Sequence, residues 1–179
     1  MTMNHNAFVF DYEKFATELR PLLLDALKSD RIPALRRWID ANSKALVDPY
    51  EGKRLPENWQ THLPDRSVQT YGDVALTKFY KPTDSIGLDE DWEGLQELLV
   101  ASGLSGAILL GTPLGPEDGP LFDPGVSGSY FQTPDEVCEN LAKIETALEP
   151  SPELRARLEP VAAMLLAAKQ AKQGLYVTF

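Results

Sequence analysis

The chain has 179 residues, 43% of them hydrophobic, and carries 27 acidic against 17 basic side chains for a formal charge of -10. This length builds a core without staples, and the single cysteine, Cys138, excludes an internal disulfide and a cysteine-cluster metal site. The negative charge opposes phosphate backbones and anionic lipid, so no nucleic acid and no membrane are expected as partners, and a basic protein is.

Ala7–Phe10 reads as a short strand. Asp11 then offers an N-cap to a helix with Phe15, Leu19, Leu22 and Ala26 on one face, kinked or divided at Pro21. A second helix opens at Pro33 and runs to about Ala45. Between Leu46 and Gly72, Pro49, Gly52, Pro56 and Pro64 punctuate a long loop pinned by Tyr50, Leu55, Trp59 and Leu63. Val74–Tyr80 is strand-like by composition and ends at Pro82.

Asp89 is expected to cap a helix with Trp92, Leu95 and Leu99 on one face, stopped at Gly103. Ala107–Leu110, an apolar run between glycines, reads as a buried strand, and a Gly/Pro-rich excursion follows from Gly111 to about Ser129. Thr133-Pro134-Asp135-Glu136 is a capping box with Pro at the first helical position, opening a helix with Val137, Leu141, Ile144 and Leu148 as its stripe. Ser151-Pro152 repeats the start signal for a helix interrupted at Pro160 and closed at Gly174, and Leu175–Phe179 is a terminal strand. The expected fold is α+β: one domain with a small mixed or antiparallel sheet and about five to six helices. Along the chain, 1–45 is an N-terminal strand and helical hairpin, 46–72 the long loop and 73–179 the remainder.

Three segments, Leu88-Asp89-Glu90-Asp91-Trp92-Glu93-Gly94-Leu95, Ala107-Ile108-Leu109-Leu110-Gly111 and Tyr130-Phe131-Gln132-Thr133-Pro134-Asp135-Glu136-Val137, resemble the YfbM-like family of small bacterial proteins. The resemblance covers residues 88–148 and loosely the C-terminal tail. It implies an α+β fold with a small sheet and surrounding helices, and no catalytic residues.

The residues offer little ordinary chemistry. His5 sits in a terminus expected to fray, His62 lies in the long loop, and with Cys138 they do not make a zinc site. Cys138 follows Val137 in a first helical turn among Asp135, Glu136 and Glu139, which oppose thiolate formation, so a quiet, partly buried thiol is expected. Gly125-Val126-Ser127-Gly128-Ser129 has serine where a nucleophile elbow ends in glycine, and the loop matches no phosphate-binding pattern. No cofactor, metal or catalytic residue is assigned.

The candidate binding residues are the carboxylates Asp84, Asp89, Asp91 and Asp123, the tyrosines Tyr80 and Tyr130, and the loop residues Leu114 and Phe122. Trp59 and Trp92 are weighed as interface anchors, with Trp92 placed rather in the core. The acidic cluster at 84–93 lacks EF-hand spacing and is explained largely by helix capping. The excursion at 111–129 is read as an Ω-like loop packed on its own apolar residues, or as a recognition surface. Met1–Asn6 lacks the basic region of a signal peptide and no apolar run reaches about 18 residues, so the expected setting is cytoplasmic. The leading functional expectation is a non-enzymatic binding protein of the immunity or regulatory type. The alternatives are an enzyme with a carboxylate-based site, and a homo-oligomeric scaffold, such as a homodimer, whose terminal strand from Tyr176 to Phe179 pairs across a two-fold.

Overall fold

A computed structural model describes residues 3–179, so Met1 and Thr2 of the opening segment lie outside the described residues. Alternation along the strands organises the whole molecule. In β1 (Asn6–Phe10), Phe8 and Phe10 enter one hydrophobic core while Ala7 enters another; in β4 (Gly174–Thr178), Tyr176 joins the first and Leu175 and Val177 the second. A strand buried on both faces needs cover on both. The sheet therefore lies between two helical layers, in the all-antiparallel order β1-β4-β3-β2, with β2 (Thr112–Pro113) and β3 (Ser129–Gln132) completing it.

Among the described residues there are eight α-helices and four strands, an α+β fold. The first face carries α1 (Tyr12–Glu18), α2 (Arg20–Ser29), α3 (Pro33–Asn42) and α4 (Val68–Leu76), whose buried residues share one core with Phe8, Phe10, Phe131 and Tyr176. Phe15 stacks on Phe131 at 5.5 Å between ring centroids, and Phe10 meets Phe15 edge-on at 5.2 Å. Each such pair contributes about 0.5–1.5 kcal/mol beyond the area it buries. The second face carries α5 (Trp92–Ala101), α6 (Ala107–Leu110), α7 (Pro134–Leu148) and α8 (Pro152–Gln170).

Several expectations are met in atomic detail. The first helix divides at Leu19, just ahead of Pro21, into α1 and α2. The capping box is complete: the Glu136 amide donates to Thr133 Oγ1 at 3.1 Å and the Thr133 amide to Glu136 Oε2 at 2.7 Å.

Other expectations are corrected. Val74–Tyr80 is not a strand, because Ser67 caps a helix over Val68–Leu76; six consecutive buried residues from Tyr71 to Leu76 leave no apolar stripe for periodicity to detect. This helix also begins inside the segment read as a long loop. Ala107–Leu110 is one helical turn rather than a strand, since four apolar residues carry no period. Asp89 does not cap α5: Asp91 holds the N-cap position without a side-chain bond, and Asp89, at φ 49°, pairs its backbone with His5. Pro160 lies within a continuous α8, where burial of Leu158, Val161, Met164 and Leu165 outweighs the bond it removes.

The terminal strand offers no edge for a dimer. β4 runs between β1 and β3, and Gly174, assigned to the end of the preceding helix, is its first residue. Cys138 is exposed on α7 rather than partly buried. Among the described residues no helix is long and apolar enough to cross a membrane.

His5 is fully buried rather than frayed. A carbonyl can only accept and an amide can only donate, so its contacts fix the tautomer: Nε2–H donates to the Leu109 carbonyl at 3.0 Å and Nδ1 accepts from the Leu88 amide at 3.3 Å. Burial lowers its pKa, against the opposing influence of the Leu109 bond, so the ring is held neutral. His5 thereby ties β1 to α6 and to the segment around Leu88.

Candidate functional site

The site grows from one residue of α4. Asp73 lies in the part of α4 that is buried from Tyr71 to Leu76, so its carboxyl is carried inward with its neighbours and is 8% exposed. Burial is the main reason its pKa rises, to about 7; the negative charge of Asp48 adds to the rise and a hydrogen bond from Tyr50 opposes it. Among the described residues no lysine or arginine forms an ion pair with it.

Asp73 lines two adjoining cavities. The inner one, of about 250 Å³, lies against the sheet and is walled by Phe8, Tyr50, Tyr80, Tyr176 and Phe179. Its aromatic wall is continuous, with Phe8 to Tyr80 at 4.8 Å and Tyr80 to Tyr176 at 5.1 Å between ring centroids. The outer one, of about 130 Å³, is bounded by Asp48, Tyr50, His62, Asp65, Thr70 and Asp73. Tyr50, Pro49 and Pro124 border both.

The neighbouring carboxylates are occupied in shaping the cleft. Asp48 Oδ1 accepts from the amides of Tyr50 at 2.8 Å and Glu51 at 2.7 Å, an Asx turn that projects Tyr50 over Asp73. Asp65 accepts from the Ser67 amide and the Thr70 hydroxyl at the start of α4, and these bonds lower its pKa. Asp123 accepts from the Gly128 amide at 3.0 Å. Asp73 has no such backbone donor; the Tyr50 hydroxyl is its polar partner.

The tyrosines are held protonated. Burial first, then the nearby charges, raise the pKa of Tyr50 and raise that of Tyr80 strongly; Tyr176 is raised by burial and by Asp73 while it accepts a hydrogen bond from Ser129 at 3.3 Å. At the rim, Tyr50 is 78% exposed, and Val126, beside the cavity-lining Gly125, is 88% exposed with φ 57°. A β-branched residue in that region costs about 1–3 kcal/mol, which concentrates at functional sites.

The residues singled out from the sequence are dispersed. Tyr80 lines the inner cavity. Asp84 does not; it faces Lys81 at 3.9 Å in a larger groove of about 520 Å³ beside β1, whose charged groups are engaged, Lys78 with Glu18 and Asp11 with Lys14. Asp89 bonds His5 through its backbone and Asp91 heads α5, and neither lines the cavities around Asp73. Asp123 sits close enough to raise the Tyr176 pKa. Tyr130 is half-buried on the opposite face of the sheet, and Leu114 and Phe122 are buried in the first core.

Phe122 settles the character of the excursion at its centre. Its ring packs over Gly72 of α4, where an added Cβ would stand 2.6 Å from Phe122 Cε2. Trp59 is likewise interior, donating to Asp40 at 3.1 Å, and Trp92 is partly buried against Phe179 at 4.8 Å.

The sequence reading missed Asp73, Tyr50, Tyr176 and Asp48. The available signal was the lone acid in Tyr71-Gly72-Asp73-Val74-Ala75-Leu76, a charge where every neighbour is apolar or small. Among the described residues no group of three or more His, Cys, Asp or Glu side chains is arranged to hold a metal ion. No family model, no curated protein and no solved structure matches this chain.

Proposed function

We propose that this chain is a non-enzymatic binding protein that receives a basic partner protein on the face around Tyr50 and Asp73. The observation that carries the reading is a buried carboxyl in a cleft that is bordered by Asp48 and Asp65 and, among the described residues, lined by no lysine or arginine. A surface whose carboxylates lack countercharges favours a cationic visitor, and the formal charge of -10 steers such a partner from a distance. The exposed Tyr50 supplies the aromatic contact that interfaces favour.

Binding suits the cleft better than catalysis. Among the described residues the inner cavity is lined by no serine, cysteine, histidine or lysine, His62 standing on the outer cavity, and the buried tyrosines Tyr80 and Tyr176 hold their protons too tightly to exchange them near neutrality. The resemblance to the YfbM-like family, which brings no catalytic residues, agrees with this reading.

The test places a photo-crosslinking amino acid at Tyr50 in the producing cell, with Glu139 on the exposed side of α7 as the control position. The expected result is a crosslink to a basic protein from position 50, absent from position 139 and reduced by Asp48→Asn together with Asp73→Asn. Equal capture at both positions, or an acidic captured partner, contradicts the reading.

A further inference from the structure

We infer that the inner cavity over Asp73 is a receptor for a single alkylammonium group, which the aromatic rings enclose and the Asp73 carboxylate pairs. The inference rests on the reading of this cleft as the binding face and specifies what enters it.

Three features select this chemistry. Asp73 is more than nine-tenths buried, points into the cavity and lacks a cationic partner, so it leaves one negative charge to be met by the ligand. The walls are largely aromatic, with the rings of Phe8, Tyr80 and Tyr176 packed on one another and Tyr50 and Phe179 also lining the cavity. Their quadrupoles attract a cation as their apolar bodies accept its alkyl stem. Finally, the cavity of about 250 Å³ is small beside the roughly 300–1,000 Å³ of drug-sized sites, so it suits one head group.

Other cations fit less well. Calcium takes six to eight oxygen ligands, and this cavity is built mainly from rings and prolines. Guanidinium is served by two parallel acceptors, whereas Asp73 already shares its carboxyl with the Tyr50 hydroxyl. A compact ammonium needs only one strong acceptor and tolerates the rest of the shell being aromatic. The titratable groups on the cavity besides Asp73 are Tyr50 from the loop, Tyr80 after α4 and Tyr176 from β4, with Asp48, His62 and Asp65 on the adjoining outer cavity and Asp123 near Tyr176; among the described residues no lysine or arginine lines either cavity.

The experiment titrates the full chain at pH 8 with n-butylammonium, n-butanol, ethylguanidinium and butyrate, following the ring resonances of Tyr50, Tyr80 and Tyr176 by NMR. The expected result is saturable shifts of these rings with n-butylammonium, about tenfold or more tighter than with the isosteric n-butanol, and none with butyrate. Asp73→Asn weakens the ammonium by about tenfold or more and leaves n-butanol unchanged. Tyr50→Ala, an exposed change that spares the core, also weakens the ammonium, and it serves as the deciding variant where Asp73→Asn fails to fold.

Equal binding of ammonium and alcohol, tighter binding of ethylguanidinium, or indifference to both substitutions overturns the inference. Loss of ammonium binding while the crosslink at Tyr50 persists sinks this inference alone. Ammonium binding without any crosslinked basic protein sinks the partner reading alone.

Discussion

Replacing Asp73 by asparagine keeps the shape of the side chain and removes its ability to ionise. A carboxyl that titrates near 7 in the folded protein keeps its proton over about three pH units in which the unfolded chain, titrating near 3.8, has released it. At about 1.4 kcal/mol per pH unit, this makes ionised Asp73 a burden of about 4 kcal/mol on the native state above neutrality. The sign follows from proton counting: between pH 4 and 7 the folded state binds more protons at this site, so stability falls as pH rises. About 3 kcal/mol of the change lies between pH 5 and pH 8. Urea unfolding of both proteins at half-unit intervals across that range isolates the effect, because every other group cancels in the difference. Relative to the asparagine variant, the native protein should lose about 3 kcal/mol from pH 5 to pH 8. Parallel curves, or a native protein that gains on its variant as pH rises, would refute the reasoning, the second by revealing a cationic partner for Asp73.

Three further outcomes are expected. His5→Leu leaves the Leu88 amide and the Leu109 carbonyl buried without partners, which costs about 2–5 kcal/mol in the urea midpoint at pH 7. Because the folded pKa of His5 is lowered, the unfolded chain takes up the proton first as pH falls below about 6.5, so the native protein loses stability on acidification, a dependence His5→Leu should abolish. Gly72→Ala drives a methyl into the Phe122 ring and should cost about 1–3 kcal/mol despite the better helix former, with faster hydrogen exchange of the Phe122 amide that now bonds the Leu114 carbonyl at 2.7 Å. Thr133→Ala breaks the capping box and should lower stability by about 1 kcal/mol, read from the thermal midpoint, with no change in the Tyr50, Tyr80 or Tyr176 resonances.

The parts of the fold legible in the sequence are those that carry a local signal. Thr133-Pro134-Asp135-Glu136 announces its helix because a cap is read from four adjacent residues, and Leu175–Phe179 reads as a strand because β-branched and aromatic residues follow a glycine stop. The illegible parts are settled by tertiary burial. Val68–Leu76 packs against α2 and α3 and shares one core with the sheet residues Phe8, Phe10 and Tyr176, so burial from Tyr71 to Leu76 masks its helical period. The site depends on that same element, since a carboxyl placed on a buried helix is exceptional only once the helix is known to be buried. Tyr50 read as a loop anchor for the same reason: its role comes from the Asx turn at Asp48 and from the position of Asp73, 23 residues further on and inside another element. Tyr80 was reachable as an aromatic beside a turn, whereas Leu114 and Phe122 drew notice for being apolar in a long loop, and that apolarity serves the core under Gly72.

The most direct test of the central claim is the pH titration of the Asp73 side-chain carboxyl carbon by NMR, recorded with and without saturating n-butylammonium. The account predicts a midpoint of about 7 for the free protein and a fall of at least about one pH unit when the cation is bound, because a paired ammonium favours the charged form. A midpoint in the ordinary carboxylate range, or one that the cation leaves in place, would contradict it.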